Sequence, residues 1–291
     1  MTILVADNIA DVGIEALTDE GYDIVEQPGL SGGALVEALR TEAPDVLIVR
    51  STEVTPEALD ASPSLALIVR AGAGYDTIDV EGAANRGIFV ANCPGKNSVA
   101  VAELTLGLVL SLDRRLPDNV ADARAGQWNK KAYAQAKGLK GRTMGVVGLG
   151  NIGTEVVQRA KAFDLNVIAW SRSLTPEVAE EKMGIGYRDE PEAVARDASI
   201  VSLHVASTPE TKHLADRSFF EAMSEGGIFV NTTRAAVVDE EALAWALDEK
   251  DVRAGIDVME GEPASKQASF EHPLADHPNL YMSHHIGAST Q

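Results

Sequence analysis

The 291-residue chain has one cysteine, Cys93, so no disulfide forms within it, and a reducing, cytoplasmic setting is expected. Cys93 lies in Ala-Asn-Cys-Pro-Gly with no histidine beside it in sequence, and it reads as a small residue packed near a turn rather than a reactive thiol. Long apolar runs are also missing. None approaches the roughly 18 residues of a membrane helix, so no membrane partner is expected. The opening Met1-Thr-Ile-Leu-Val-Ala-Asp lacks a basic start, a long apolar stretch and a cleavage site; it reads as a first strand, not a signal peptide. Cations are scarce, with 25 Lys and Arg against 44 Asp and Glu and a net charge of −19. That balance argues against a nucleic-acid backbone as partner. It also repels anions at long range, so an anion site must be built from local cations and helix ends. The acids are scattered, as in Glu177, Glu180, Glu181, Asp189, Glu190 and Glu192. Solubility and adaptation to a salty cytoplasm both remain open as their reason. No low-complexity segment and no solenoid-like repeat interrupts the chain.

What is present is a hydrophobic content of 45%, ample for sizeable cores, over a length that suggests two domains. Short apolar segments at Ile3–Asp7, Tyr22–Glu26, Val46–Arg50, Leu65–Arg70 and Ile88–Asn92 read as strands, separated by helix-like stretches such as Ala34–Arg40 and Pro56–Ala61. A second series of strands is expected at Met144–Val147, Val167–Trp170, Ile200–His204, Ile228–Asn231, Arg253–Asp257 and Leu280–Ser283. Such alternation predicts parallel sheets covered by helices. Between the two series, Ser98–Leu116 is apolar nearly all round and reads as one long buried helix, and the polar stretch Ala121–Gly141 follows it. The fold expected is α/β, with two doubly wound parallel-sheet (Rossmann-like) domains and a cleft between them. Residues 1–95 form a substrate-binding domain, 96–283 a dinucleotide-binding domain, and 284–291 return to the first.

The strongest motif is Gly148-Leu-Gly-Asn-Ile-Gly153, which has the spacing G-x-G-x-x-G between an expected strand and an expected helix over Asn151–Phe163. Gly148 suits the tight turn, Gly150 lets a pyrophosphate approach the backbone, and Gly153 lets helix and strand pack closely. The helix N-terminus then offers free N–H groups and a positive dipole end to the phosphates. About 20 residues further on, an acid would bind the adenosine ribose of NAD. Here Ser171 and Arg172 stand at that point, a pair suited to a 2′-phosphate, so NAD and NADP both remain open.

Polar residues follow three later strand ends, in Asn231-Thr-Thr-Arg-Ala, in Gly255–Pro263 and in Ser283–Thr290. Carboxyl ends of strands in open α/β sheets are where ligands bind, so Arg234, Asp257, Glu262 and His285 are expected to converge on a nicotinamide. Plainer readings compete. Arg234 also fits a structural helix cap, Glu262 a solvated loop acid, and His284 stands next to His285. His204, at another strand end, reads as structural or as facing the cofactor through its backbone.

With Val49-Arg-Ser, Arg70-Ala-Gly-Ala-Gly-Tyr-Asp, Asn92-Cys-Pro-Gly-Lys-Asn-Ser and His285-Ile-Gly-Ala-Ser-Thr added in order, the whole chain resembles the NAD(P)-dependent D-isomer-specific 2-hydroxyacid dehydrogenases. The resemblance implies Arg234, Glu262 and His285 as the catalytic trio, with His285 the acid/base. Its register, Ser-His-His-Ile-Gly against the family's Thr-Pro-His-Ile-Gly, favours the second histidine and departs at the first. The cofactor contacts implied are Gly148, Gly150, Asn151, Ile152, Gly153, Ser171, Arg172, Val205, Thr232, Asp257, Gly287 and Ala288. Asp257 would bind the carboxamide. On the substrate side the resemblance implies the Gly72–Gly74 amides with Ala73, together with Arg50, Ser51 and Lys130. The activity implied is oxidation of 3-phospho-D-glycerate to 3-phosphohydroxypyruvate in serine synthesis, in a homodimer joined partly through Ser98–Leu116. Alternatives are NADPH-dependent reduction of glyoxylate or hydroxypyruvate, or a corepressor-like binding protein without turnover. Family members continue past the position of Gln291 into a helix and often into regulatory domains, so a truncated chain is expected.

Overall fold

A computed structural model describes residues 1–263 and 268–290. The chain divides into two compact units, 1–97 and 98–291. The boundary thus falls two residues later than the sequence suggests.

In the first unit, strands Thr2–Val5 (β1), Asp23–Glu26 (β2), Val46–Val49 (β3), Leu67–Arg70 (β4) and Phe89–Asn92 (β5) form one sheet in the order β2-β1-β3-β4-β5. Every pairing is parallel. The connections carry helices Asp11–Asp19 (α1), Gly32–Glu42 (α2), Pro56–Leu59 (α3) and Val80–Asn85 (α4). This is a flavodoxin-like order, whose crossing point lies between β1 and β3. β3 reads Val-Leu-Ile-Val and is buried along its whole length, as a central strand covered on both faces must be. One face packs Leu4, Leu47 and Ile68 against Leu35, Leu39 and Leu59; the other packs Ile3, Val5, Val46 and Ile48.

The second unit opens with helices Ser98–Arg114 (α5), Leu116–Arg124 (α6) and Lys130–Tyr133 (α7). Its sheet contains Thr143–Val147 (β6), Asn166–Trp170 (β7), Gly186–Tyr187 (β8), Ile200–Leu203 (β9), Ile228–Asn231 (β10), Arg253–Ile256 (β11) and Leu280–Met282 (β12). The order is β12-β11-β10-β9-β6-β7-β8, again all parallel. Helices Asn151–Ala162 (α8), Pro191–Asp197 (α9), Arg217–Ala222 (α10) and Glu240–Glu249 (α11) cross between strands. One face of the sheet holds the three rings of Phe219, Phe220 and Phe229, edge to face at centroid distances of 5.7, 6.3 and 5.0 Å. The other packs α5 and α8 on β6 and β10 through Leu106, Val109, Val146, Val156 and Val230. The two strand series read from the sequence fall in the two sheets, and the second sheet adds the short edge strand β8, which the sequence reading lacked.

Two expectations are corrected. The long apolar helix is one continuous element, Ser98–Arg114, but it is not buried all round. Arg115, with a left-handed φ of 50°, ends it two residues early, and Val99 on α5 is 46% exposed. Residues 284–290 stay with the second unit instead of returning to the first. They are held there by Asp257, whose carbonyl accepts the His285 amide at 2.9 Å and whose carboxylate accepts the Ile286 and Gly287 amides at 3.0 and 2.7 Å. Gln291 lies outside the described residues.

Candidate active site

The order of the second sheet reverses between β6 and β9, and the glycine motif sits there. Gly148 has φ +99°, and a Cβ on it would lie 2.5 Å from the His204 carbonyl oxygen, so backbone and space both demand glycine. A Cβ on Gly153 would overlap the Gly148 carbonyl, which keeps α8 tight against the turn. Gly150 differs: a Cβ there would meet no protein atom within 4 Å. Packing does not explain it, whereas close approach of a ligand to the backbone does. Gly150 caps α8 without a side-chain hydrogen bond, so the first amides of this twelve-residue helix remain for an anion. The turn thus fits a dinucleotide pyrophosphate, with Asn151 and Ile152 in the first turn.

Beside it lies a cavity of about 260 Å³, lined by Gly148, Gly150, Ser171, Arg172, Val205 and Thr211. The structure therefore brings Ser171 and Arg172 to the same cavity as the glycines. Arg172 is exposed, and its charge helps hold Glu210 below the usual carboxylate range, after the larger effect of the Thr208 hydroxyl. His204 also lines the cavity. Burial pushes its imidazole down to about 3, so it is neutral, with Nε2 at 2.8 Å from the Ser202 hydroxyl. Thr232 is buried, its hydroxyl 3.3 Å from that of Thr105.

The loops after β11 and β12 carry the acid/base candidates. His285 Nδ1 lies 2.8 Å from Glu262 Oε2, and the Met259 amide donates to Glu262 Oε1 at 2.9 Å. The Glu262 hydrogen bond, with its charge and that of Asp257, raises the His285 pKa against burial and the Arg234 charge, which lower it. Burial works to raise Glu262, but the His285 bond, the Met259 amide and the charges of His285 and Arg234 prevail and lower it. Arg234 follows β10, where Asn231 Oδ1 accepts from the Thr233 amide and hydroxyl and Asn231 Nδ2 donates to the Arg234 carbonyl at 3.1 Å. The guanidinium donates to the Thr233 carbonyl at 2.8 Å. Between His284 and His285, only the second has its ring on Glu262; His284 is exposed.

Asp257, expected beside the carboxamide, has a structural task as well. It is 1% exposed, and its carboxylate accepts from the Ser283 hydroxyl at 2.6 Å as well as from the Ile286 and Gly287 amides. It is a clasp for the loop that carries His285. Gly287 is buried against it, while Ala288 is exposed.

In the first unit, the crossing point holds Asp7, whose Oδ2 accepts the amides of Arg50, Ser51 and Thr52 at 2.7, 3.0 and 2.9 Å. Those three bonds outweigh burial and lower its pKa. The side chains of Arg50 and Ser51 stay exposed. The Gly72–Gly74 nest is smaller than expected, because the Gly72 amide donates back to the Arg70 carbonyl at 2.7 Å, leaving Ala73 and Gly74. The sequence reading missed Arg70, whose guanidinium occupies the space that a Gly72 Cβ would take. A cation closing a strand, next to glycines, was the available signal. Lys130 is exposed and belongs to the second unit, on α7.

Fold and turn define a dinucleotide-binding α/β protein with a histidine–carboxylate pair at the carboxyl end of its sheet. The NAD binding domain of the D-isomer specific 2-hydroxyacid dehydrogenases matches residues 106–287, and the chain belongs to that family. The second unit is accordingly its NAD(P)-binding domain. The chain is 39% identical over 291 residues to a D-3-phosphoglycerate dehydrogenase of Methanocaldococcus jannaschii, covering 99% of this chain and 54% of that protein. It is 40% identical over 248 residues to a hydroxypyruvate reductase of Thermotoga maritima, covering 84% of this chain and 78% of that protein. A solved Thermus thermophilus protein superposes with a TM-score of 0.88 at 33% identity, covering 100% of this chain and 91% of that one. The chain spans about half the length of the phosphoglycerate dehydrogenases it matches.

Proposed function

We propose that the protein is an NAD(P)-dependent dehydrogenase of small D-2-hydroxy acids, with 3-phospho-D-glycerate as substrate and 3-phosphohydroxypyruvate as product. The observation that carries the dehydrogenase reading is the His285–Glu262 pair at 2.8 Å, in the electrostatic reach of Arg234. Glu262 accepts from Nδ1–H, which leaves His285 Nε2 to take the proton of the substrate 2-hydroxyl, or to return it to the keto oxygen. Arg234 binds the substrate carboxylate and polarises the keto oxygen, its planar fork suited to two-point contact. A bound nicotinamide supplies the acceptor or donor of the hydride at C2. The amides of α8 and Gly150 hold its pyrophosphate, while Ser171 and Arg172 face its adenosine ribose. Support for a phosphorylated substrate comes from Arg50 and Arg70, which stand at the carboxyl ends of the neighbouring strands β3 and β4. A homodimer belongs to the same reading; Leu116, Val120 and Trp128, at 45, 46 and 89% exposure, are apolar side chains for it to cover.

The second reading is an NADPH-dependent hydroxypyruvate or glyoxylate reductase, favoured by Ser171 and Arg172 at the cavity. Initial rates with 3-phosphoglycerate, hydroxypyruvate and glyoxylate, each with both cofactors, separate the two. Turnover of phosphoglycerate with NAD supports the first; turnover of only the unphosphorylated keto acids with NADPH supports the second. Binding of a peptide partner without any turnover would favour the corepressor-like alternative.

A further inference from the structure

α11 begins at Glu240, and both oxygens of that carboxylate are in use. Oε1 accepts the backbone amide of Glu260 at 2.8 Å, and Oε2 meets His272 Nε2 at 3.0 Å. The Leu274 amide donates to His272 Nδ1 at 3.2 Å, so the ring carries its proton on Nε2 and donates it to Glu240. The His272 side chain is 4% exposed and that of Glu240 21%, which shelters the contact from competing water. Glu260 lies two residues before Glu262, in a turn closed by the Met259 amide on the Glu262 carboxylate. The turn is therefore fixed at both ends, by its own glutamate on one side and by Glu240 on the other.

We infer that Glu240 and His272 form a clamp that positions Glu262, and through it sets the protonation of His285. The inference rests on the dehydrogenase reading for its catalytic consequence. Neither residue touches substrate or cofactor; both are positioning residues. A carboxylate accepts from two donors at once, whereas a carboxamide has one acceptor oxygen. In Glu240→Gln, either the Glu260 amide or His272 Nε2–H therefore faces an NH2 group. His272→Ala removes one donor and leaves the Glu260 bond, so its effect is smaller and in the same direction. The charged groups that act on His285 are Glu262, Arg234 and Asp257, and the clamp bonds the turn that carries the first of them.

The test is an NMR titration of ¹⁵N-labelled imidazoles in wild type, E240Q and H272A, with H285N used to assign the His285 signal, alongside steady-state kinetics. The expected result is a His285 midpoint lowered in both variants, more in E240Q. Its kcat for keto-acid reduction falls about tenfold, short of the 10²-fold that misplacing a catalytic group by 1 Å costs, with the cofactor KM unchanged. A His285 midpoint equal to wild type in either folded variant overturns the clamp; should E240Q not fold, H272A decides. The titration decides the clamp whatever the turnover. Absence of turnover of any 2-hydroxy or 2-keto acid with either cofactor in the wild-type protein would instead remove the dehydrogenase reading, and undiminished turnover in H285N would remove His285 as its acid/base.

Discussion

Two histidines stand at carboxyl ends of the same sheet, His204 after β9 and His285 after β12, and their surroundings drive them in opposite directions. His204 is buried, with no carboxylate on its ring, and burial alone takes it down to about 3. His285 is about half exposed at its side chain and bonded to Glu262, which raises its pKa. One is locked neutral as part of the packing behind the glycine turn. The other is drawn toward its protonated form by the carboxylate. The same residue type at equivalent strand ends is held neutral or drawn toward its protonated form according to whether a carboxylate reaches it.

The largest way to break the contrast is His285→Asn. Loss of the acid/base should lower turnover by about 10²–10⁴-fold in steady-state assays, and wild-type turnover would remove His285 from that role. Glu262→Gln should cost about 10²-fold and leave a histidine nearer its ordinary value. Keto-acid reduction needs the protonated ring, so its activity is present below the His285 pKa and lost above it. Lowering that pKa moves the limb to lower pH, and the opposite limb, for oxidation, moves the same way. A pH profile of kcat/KM that does not shift would show that Glu262 does not set the proton. Arg172→Ala sharpens the cavity side: losing about 1.5 kcal/mol of charged hydrogen bonding to a 2′-phosphate should weaken NADPH about tenfold relative to NADH. An unchanged ratio would make Arg172 a bystander.

The smallest effect on turnover, and a separate one on stability, is expected from His204→Gln. Between the ordinary value of 6.5 and about 3 the unfolded chain binds the proton that folded His204 refuses. Stability therefore falls with pH through that window, by about 1.4 kcal/mol per unit, and is independent of this group above it. Urea midpoints at pH 7 and pH 5 should separate less in the variant than in wild type. An equal separation would mean that His204 does not contribute to acid lability.

The alternation of apolar strands and helical stretches made both sheets legible, because parallel strands buried on two faces must be apolar along their length. The glycine turn was legible because its spacing falls between a strand and a helix and Gly153 answers to the Gly148 carbonyl nearby, although the His204 carbonyl that crowds Gly148 lies far along the chain. The end of α5 had a local signal in Pro117, which bars a helix from running on through it, whereas nothing in Asp113-Arg-Arg-Leu showed the left-handed φ of Arg115. The task of Asp257 was hidden because its three donors come from Ser283 to Gly287, more than 25 positions along the chain. Separations of 20 and 32 positions hid Glu240 behind Glu260 and His272. His285 could be told from His284 by register, and the family resemblance implied Glu262 as its partner; the fold adds the 2.8 Å distance between them.

His285 has a φ of +51°, in the left-handed region. That conformation is uncommon outside glycine, is better tolerated by asparagine, aspartate and histidine, and is poorly tolerated by β-branched residues. The backbone at 285 thus filters which side chains this position admits before any chemistry is asked of them. A valine or threonine there would be rejected for its shape alone, so a drift of sequence at this loop that abolished the acid/base would also tend to deform the strand end. Asparagine keeps the conformation and removes only the ionisable ring, which makes it the substitution that separates the two kinds of loss.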